Sequence, residues 1–222
     1  KINHYGDSDA EISLDKRNVM GIRVCGNYPV SGNISIELSP AKPTEFTLAL
    51  RIPEWSKTTT AKLISGMDTL NLSLDNLSAG EYAKVDRKWK NGDLIELSLD
   101  LTPHLLELNG HQAVVRGPIV LARDSRFNDG FVDECVVIQS SEDGSVALTP
   151  AADNDFAWMS FTAPMVAGAD LEGNGKPRQI HLCDFASAGN TWDKSTRYKV
   201  WLPKTLNVTK GEYRAYNDAP QN

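Results

Sequence analysis

Acid–base chemistry by paired carboxylates needs two acidic side chains set on opposite sides of one bond. The chain offers Glu37, Glu45, Asp86, Asp93, Glu96, Asp100 and Glu107 for that role. Most fall on the outward face of an alternating segment or in a turn, which reads as a solvated polar face. A metal site needs three or four ligands. His181 and Cys183 stand two apart in "HLCD" and share one face of a strand. His4, His104 and His111 have no close partner of ligand type in the sequence. The pair therefore reads as a rim histidine and a core cysteine, and no metal residue is assigned. There is no G-x-S-x-G, and none of the cysteines stands in the sequence context of a known nucleophile. "GNGK" at 173–176 lacks the spacing of a phosphate loop. The tryptophans remain. An aromatic face stacks on the C–H face of a sugar, and Trp55, Trp89 and Trp192 are the candidate carbohydrate contacts among Trp55, Trp89, Trp158, Trp192 and Trp201. The competing reading for each is burial at the end of a sheet.

The elements that must position these residues are strands. "NISIEL" puts Ile34, Ile36 and Leu38 on one face, and "EFTLALRIPEW" does the same with Phe46, Leu48, Leu50 and Ile52. Pro53 has no N–H for a ladder, so pairing ends there, and Trp55 is expected over the end of the sheet. "LIELSLDL" places Ile95, Leu97, Leu99 and Leu101 opposite Glu96, Ser98 and Asp100. The "RKWKNGD" stretch between "YAKVD" and "LIELSLDL" carries Asn91-Gly92, which predicts a hairpin with Trp89 in its loop. "AVVRGPIVLA" reads as one buried strand kinked at Gly117-Pro118, and "PHLLELNGHQ" as a short turn. Trp192 falls in a long polar loop. Many short strands without sustained helical periodicity predict an all-β fold of two jelly-roll-like antiparallel sandwiches. The division is expected near the Asn109-Gly110 to Gly117-Pro118 stretch, giving a first sandwich over 13–115 and a second over 116–222. The tail "YNDAPQN" is expected to be frayed.

With 222 residues, 41% apolar and 23% charged, the chain can bury a sizeable core. A net charge of −6 without a basic cluster argues against nucleic acid and anionic membrane surfaces as partners. No apolar stretch approaches the roughly 18 residues of a helical membrane span. Cys25, Cys135 and Cys183 are too far apart for a disulfide framework; one bridge with a free thiol, or three buried thiols, both fit. The chain begins at Lys1 and reads as a piece of something longer.

"NYPVSGNISIEL", "EFTLALRIPEWS", "YAKVDRKWKNGDLIELSLDL", "AVVRGPIVLA" and "YKVWLP" follow one another in this order. In that order they resemble the C-terminal β-sandwich region of family-127-type glycoside hydrolases, the β-L-arabinofuranosidase-like enzymes. The resemblance implies an N-terminal (α/α)6 barrel in the same polypeptide, followed by two sandwiches. It also implies that residues 1–12 complete the second sandwich. The family's cysteine nucleophile, its zinc and its acid/base glutamate lie in the barrel. No residue here matches them, so no catalytic residue and no cofactor is carried over, and zinc is implied only for the barrel. The expected role is a non-catalytic accessory region beside that barrel. A carbohydrate-binding module for a plant-derived glycan is the alternative.

Overall fold

Alternation builds the first layer. Every second residue of Asn33–Pro40 is buried, so Ile34, Ile36 and Leu38 point into a core while Ser35, Glu37 and Ser39 stay at the surface. The strands of this region are β1 (Ser8–Asp15), β2 (Asn18–Cys25), β3 (Asn33–Pro40), β4 (Thr44–Arg51), β5 (Thr60–Ser65), β6 (Asp68–Leu72), β7 (Tyr82–Trp89) and β8 (Asp93–Ser98). Six of them form a sheet in the order β1-β2-β3-β8-β5-β6, and β4 pairs with β7 as a two-stranded ribbon. The inward residues of sheet and ribbon share one core, which includes Leu38, Leu48, Leu50, Leu63, Trp89 and Leu97. Each such large side chain, fully buried, contributes about 1.5–3 kcal/mol.

The structure, a computed structural model, describes residues 1–15, 18–74, 80–167 and 176–204. It divides into two compact units, Lys1–Leu101 and Thr102–Asn222. Among the described residues one 3-10 turn, Ser125–Phe127, accompanies the strands, and the fold is all-β. No helix among them is long and apolar enough to cross a membrane. The "YNDAPQN" tail and the "GNG" of "GNGK" lie outside the described residues.

Several expectations need correction. Residues 1–12 belong to the first unit. Ile2 donates its N–H to Ala49 O at 2.8 Å and accepts from Arg51 N at 3.1 Å, extending the ribbon by one bridge beside β4. The Tyr5 hydroxyl donates to Arg51 O at 2.7 Å, and β1 pairs antiparallel with β2. The "RKWKNGD" segment is a corner rather than a hairpin. β7 pairs with β4, whereas β8 pairs with β3 and β5, so the chain passes from ribbon to sheet there. Asp93, 2% exposed, holds the corner by accepting from Lys90 N at 2.9 Å and Ser65 Oγ at 2.7 Å.

The division falls at 101/102 rather than at 115/116. β9 (Pro103–Leu108) and β10 (His111–Arg116) form a two-residue hairpin through Asn109 and Gly110, both at positive φ, with Leu108 opposite His111. Asn-Gly is the strongest short hairpin signal because both central residues tolerate the left-handed region. A second tight turn at Gly117-Pro118 joins β10 to β11 (Ile119–Asp124), so "AVVRGPIVLA" is two strands and not one kinked strand. With β12 (Val136–Ile138), β13 (Thr149–Pro150), β14 (Ser160–Ala167), β15 (Lys176–Asp184), β16 (Tyr198–Lys199) and β17 (Leu202–Pro203), these make a nine-stranded sheet. Its backbone is the series β12-β14-β15-β11-β10-β17. The buried Gln112 side chain of β10 ties the far end back. Its amide donates to Val136 O and accepts from Ile138 N at 3.2 Å, taking the place of a neighbouring strand for β12.

Tight backbone approaches in the first unit give a direct check. A Cβ at Gly32 would lie 2.2 Å from the Leu99 carbonyl oxygen. Gly32→Ala is expected to lower the unfolding free energy by about 1–3 kcal/mol, read as a shift of the urea midpoint without a change of slope.

Candidate functional site

The three candidate tryptophans do not form one platform. Trp89 ends β7, is 0% exposed, donates Nε1 to Phe46 O at 2.9 Å and stacks on the Phe46 ring at 5.6 Å. It is a core residue, and no sugar reaches it. Trp55 is half-buried and packs against the same core, as its position after Pro53 predicts. The β4/β7 register sets Thr44 opposite Trp89 and Arg51 opposite Tyr82, so Trp55 follows the far end of the ribbon from Trp89. An eight-residue strand spans about 24 Å, too far for one sugar ring to touch both. Trp192 belongs to the second unit and is 94% exposed.

The first unit's acidic residues behave as the alternation predicts. Glu45, Asp86 and Glu96 are exposed, Asp86 accepting from the Thr47 hydroxyl, and Asp100 accepts from Thr58 Oγ1 at 3.0 Å. Glu107, in the second unit, is exposed and pairs with Lys204 at 2.7 Å. Asp93 at the corner is the buried exception.

The charged groups that sequence reasoning passed over lie in the second unit. β11 is buried along its last four residues, Leu121, Ala122, Arg123 and Asp124 alike, so both of its faces are covered. Asp124 Oδ1 accepts from Arg126 N and Arg126 Nε, both at 2.9 Å. Its Oδ2 accepts from Arg126 Nη2 at 2.7 Å and Gly189 N at 2.9 Å. Burial pushes this carboxyl up, but the Arg126 and Gly189 hydrogen bonds outweigh it and hold the group below the ordinary carboxylate value. Arg126 also donates to Asn190 Oδ1 at 2.8 Å and Ser187 O at 3.0 Å, and its guanidinium lies 4.0 Å from the Phe156 ring centre. Asp184 repeats the pattern. It accepts from Met159 N at 2.9 Å, Ser187 N at 2.9 Å and Ser187 Oγ at 2.8 Å, while Ser187 Oγ accepts from Trp158 N at 3.0 Å. Asp124 and Asp184 thus fasten three loops to the ends of β11 and β15.

On the other side of β11, Arg123 donates to Phe131 O at 2.8 Å and pairs with Glu134 at 3.1 Å and Asp129 at 3.4 Å; its Nε is buried without a partner. Glu134 also pairs with Arg178, and Asp129 accepts from His181 N at 2.6 Å. These two carboxylates are the nearest thing to an acid pair. Each of them faces the Arg123 guanidinium. The arrangement orders the 129–134 loop against β15.

His181 stacks on Phe127 at 4.9 Å, and Cys183 is 0% exposed in a small cluster with Ala122 and Ala188. Burial, with the Asp124 and Asp184 carboxylates nearby, pushes the Cys183 thiol up to about 12. A thiol so placed stays protonated, the opposite of what a metal ligand or nucleophile needs. Among the described residues no three His, Cys, Asp or Glu side chains are grouped to hold a metal ion. Arg123 and Asp124 had one signal in the sequence: "IVLARD" carries charge straight on from an apolar run with no turn residue between.

Residues 1–101 match the family model described as the middle domain of GH127 β-L-arabinofuranosidases. No curated protein sequence matches the chain. Among solved structures, a glycoside hydrolase superposes with TM-score 0.71 at 24% identity, covering 90% of this chain and 35% of its own. A GH127 β-L-arabinofuranosidase from Geobacillus stearothermophilus T6 gives 0.69 at 20% identity, with 90% and 33% covered. A further GH127 β-arabinofuranosidase gives 0.68 at 21%, with 94% and 35% covered. At these identities the likeness carries the fold alone. The chain spans about a third of the length of each of these structures.

Asp124, held below its ordinary value in the fold, contributes stability that is present above the unfolded-state value of about 3.9 and lost as pH falls through the folded one. Asp124→Asn is expected to cost roughly 2 kcal/mol or more at neutral pH and to flatten the acid limb of the stability curve, measured by denaturant unfolding from pH 7 to pH 3. A thiol count makes a separate check. Cys25 is exposed while Cys135 and Cys183 are buried and unpaired, so a thiol reagent should label one cysteine quickly in the native chain and the other two only on unfolding.

Proposed function

We propose that this chain, whose first 101 residues match the GH127 middle domain, is a non-catalytic accessory β-sandwich region of a glycoside hydrolase, and that it supports a helical catalytic barrel in the same polypeptide. The observation that carries the reading is the match to a middle domain combined with coverage of only about a third of the similar structures. A middle domain is by position a neighbour of other domains, and most of each similar structure lies outside the part this chain resembles. The chemistry of the second unit supports the same reading. Its carboxylates serve loop anchoring: Asp124 and Asp184 hold backbone N–H groups, and Asp129 and Glu134 share Arg123.

A sandwich beside a barrel contributes buried interface and fixes the orientation of loops. Inter-domain contacts of this kind cover about 600–1,500 Å². The arabinofuranosidase activity of two of the similar structures is proposed here for the whole polypeptide and not for this region.

The purified chain should release no nitrophenol from nitrophenyl arabinofuranosides, and co-expression with the helical domain of its own polypeptide should raise that domain's soluble yield. Turnover by the chain alone that disappears in Glu134→Gln or Asp129→Asn would contradict the reading and put an acid pair in the second unit.

A further inference from the structure

We propose that residues 128–134 form a strap latched by ion pairs, which opens as a unit while the sheet beneath it stays folded. The inference is independent of the accessory reading. The segment lies between the 3-10 turn Ser125–Phe127 and β12. It has almost no ladder of its own. Among the described residues, the backbone bonds made within 129–134 come down to Glu134 N donating to Phe131 O at 3.1 Å. Charge does the holding, and each acidic side chain of the strap meets a base from another element. Asp129 meets Arg123 at 3.4 Å and His181 Nδ1 at 3.3 Å, Asp133 meets Lys199, and Glu134 meets Arg123 at 3.1 Å as well as Arg178. Those bases stand on β11, β15 and β16. Val132, 4% exposed, is the strap's apolar anchor.

The Asp129 carboxylate also stands in for a strand. β11 pairs with β15 at two positions, Leu121 opposite Asp184 and Ala122 opposite Cys183. Past them, His181 N donates to Asp129 Oδ2 at 2.6 Å. Protection of that amide therefore depends on the strap being down. Gly130 lets the strap backbone lie against both guanidiniums: an added Cβ would stand 2.9 Å from Arg178 Nη2 and 3.1 Å from Arg123 Nη2.

Arg123 makes the latch reversible. Its guanidinium is 1% exposed, and among the described residues its side-chain partners lie on the strap: Phe131 O at 2.8 Å and the Asp129 and Glu134 carboxylates. Its Nε is buried without a partner, and burial pushes the group down from its ordinary value more than Asp129 pushes it up. A buried guanidinium with an unmet N–H is costly. When the strap lifts, Arg123 loses its carboxylates but regains water at every N–H, the orphaned one included. Opening therefore costs less than a count of ion pairs suggests. The outer pairs, Arg178 with Glu134 and Lys199 with Asp133, are part-exposed and open to screening by salt. The β14/β15 ladder runs from Ser160 opposite Cys183 to Ala167 opposite Lys176 and keeps its own backbone partners when the strap is up. Local opening below the free energy of global unfolding is the expected behaviour of such a segment.

The test is amide hydrogen exchange of the 222-residue chain, comparing the His181 and Glu134 amides with those of the β14/β15 ladder. The two strap-dependent amides should exchange about tenfold faster than the ladder or more, with rates that barely respond to urea below the unfolding transition, because local opening exposes little surface. Raising NaCl from about 0.05 M to about 0.5 M should speed them several-fold through the outer pairs. Glu134→Gln should speed them by about tenfold or more, or 1.4 kcal/mol, and open the Phe131–Val132 bond to chymotrypsin, with the ladder amides unchanged. Asp133→Asn, which leaves both Arg123 pairs in place, should act in the same direction to a smaller degree, and it decides the matter if Glu134→Gln does not fold. Exchange at His181 and Glu134 that matches the ladder in rate and urea dependence would overturn the proposal, since the strap would then open only by global unfolding. Strap exchange indifferent to salt or to Asp133→Asn would overturn it too, since ion pairs would not be what holds the strap.

Discussion

The pairing of Asp124 with Arg126 is the constraint on which the loops of the second unit depend. A carboxylate at 1% exposure is tolerable only if its oxygens are fully supplied with donors. Asp124 has donors from two different places, the guanidinium and backbone of Arg126 and the backbone of Gly189. The first closes the 3-10 turn that follows β11. The second reaches across to the loop that carries Phe185, Trp192 and Tyr198. Arg126 then extends the connection to Ser187, Asn190 and the face of Phe156. One buried charge therefore sets the positions of loops that have few regular backbone pairings of their own.

The first unit works on a different principle. Its cohesion comes from apolar area, with a six-stranded sheet and a two-stranded ribbon closing on Ile36, Leu38, Leu50, Trp89, Ile95 and Leu97, all at 0–1% exposure. Buried polar groups sit where the chain changes layer, as at Asp93, where the N-terminal segment docks, as at Tyr5, and where turns are fastened, as at Asn18 and Ser56. Such a core is tolerant of surface change and intolerant of lost volume. That suits a region whose proposed role is mechanical support.

The legible part of the fold was the part governed by period-2 burial. Ile34, Ile36, Leu38, Leu48, Leu50, Ile95 and Leu97 are buried as their spacing predicts, because a covered sheet face leaves no other solution. Pairing partners were less legible. Asn91-Gly92 and Asn109-Gly110 carry the same dipeptide, yet the second closes a hairpin and the first turns a corner between layers. What separates them is tertiary: Trp89 must enter the core and Asp93 must reach Ser65. The candidate site was least legible of all. Trp89 was read as a loop aromatic and is core, whereas Trp192 is as exposed as its polar loop suggests. The charges that order the second unit are invisible to periodicity, since Arg123 is met by the 129–134 loop and Asp124 by Gly189, 65 residues further along the chain.

These features give one picture, a region whose buried charges anchor loops and whose aromatic side chains are either packed in the core or displayed on those anchored loops. Hydrogen exchange of individual backbone amides tests it most directly, comparing the native chain with Asp124→Asn. The account predicts that protection at Gly189 and Ser187 falls together with that at Met159, while the strands of the first unit are unaffected. Protection at those three amides that is the same in both proteins would show that the Asp124 pair does not hold the loops, and would contradict the account.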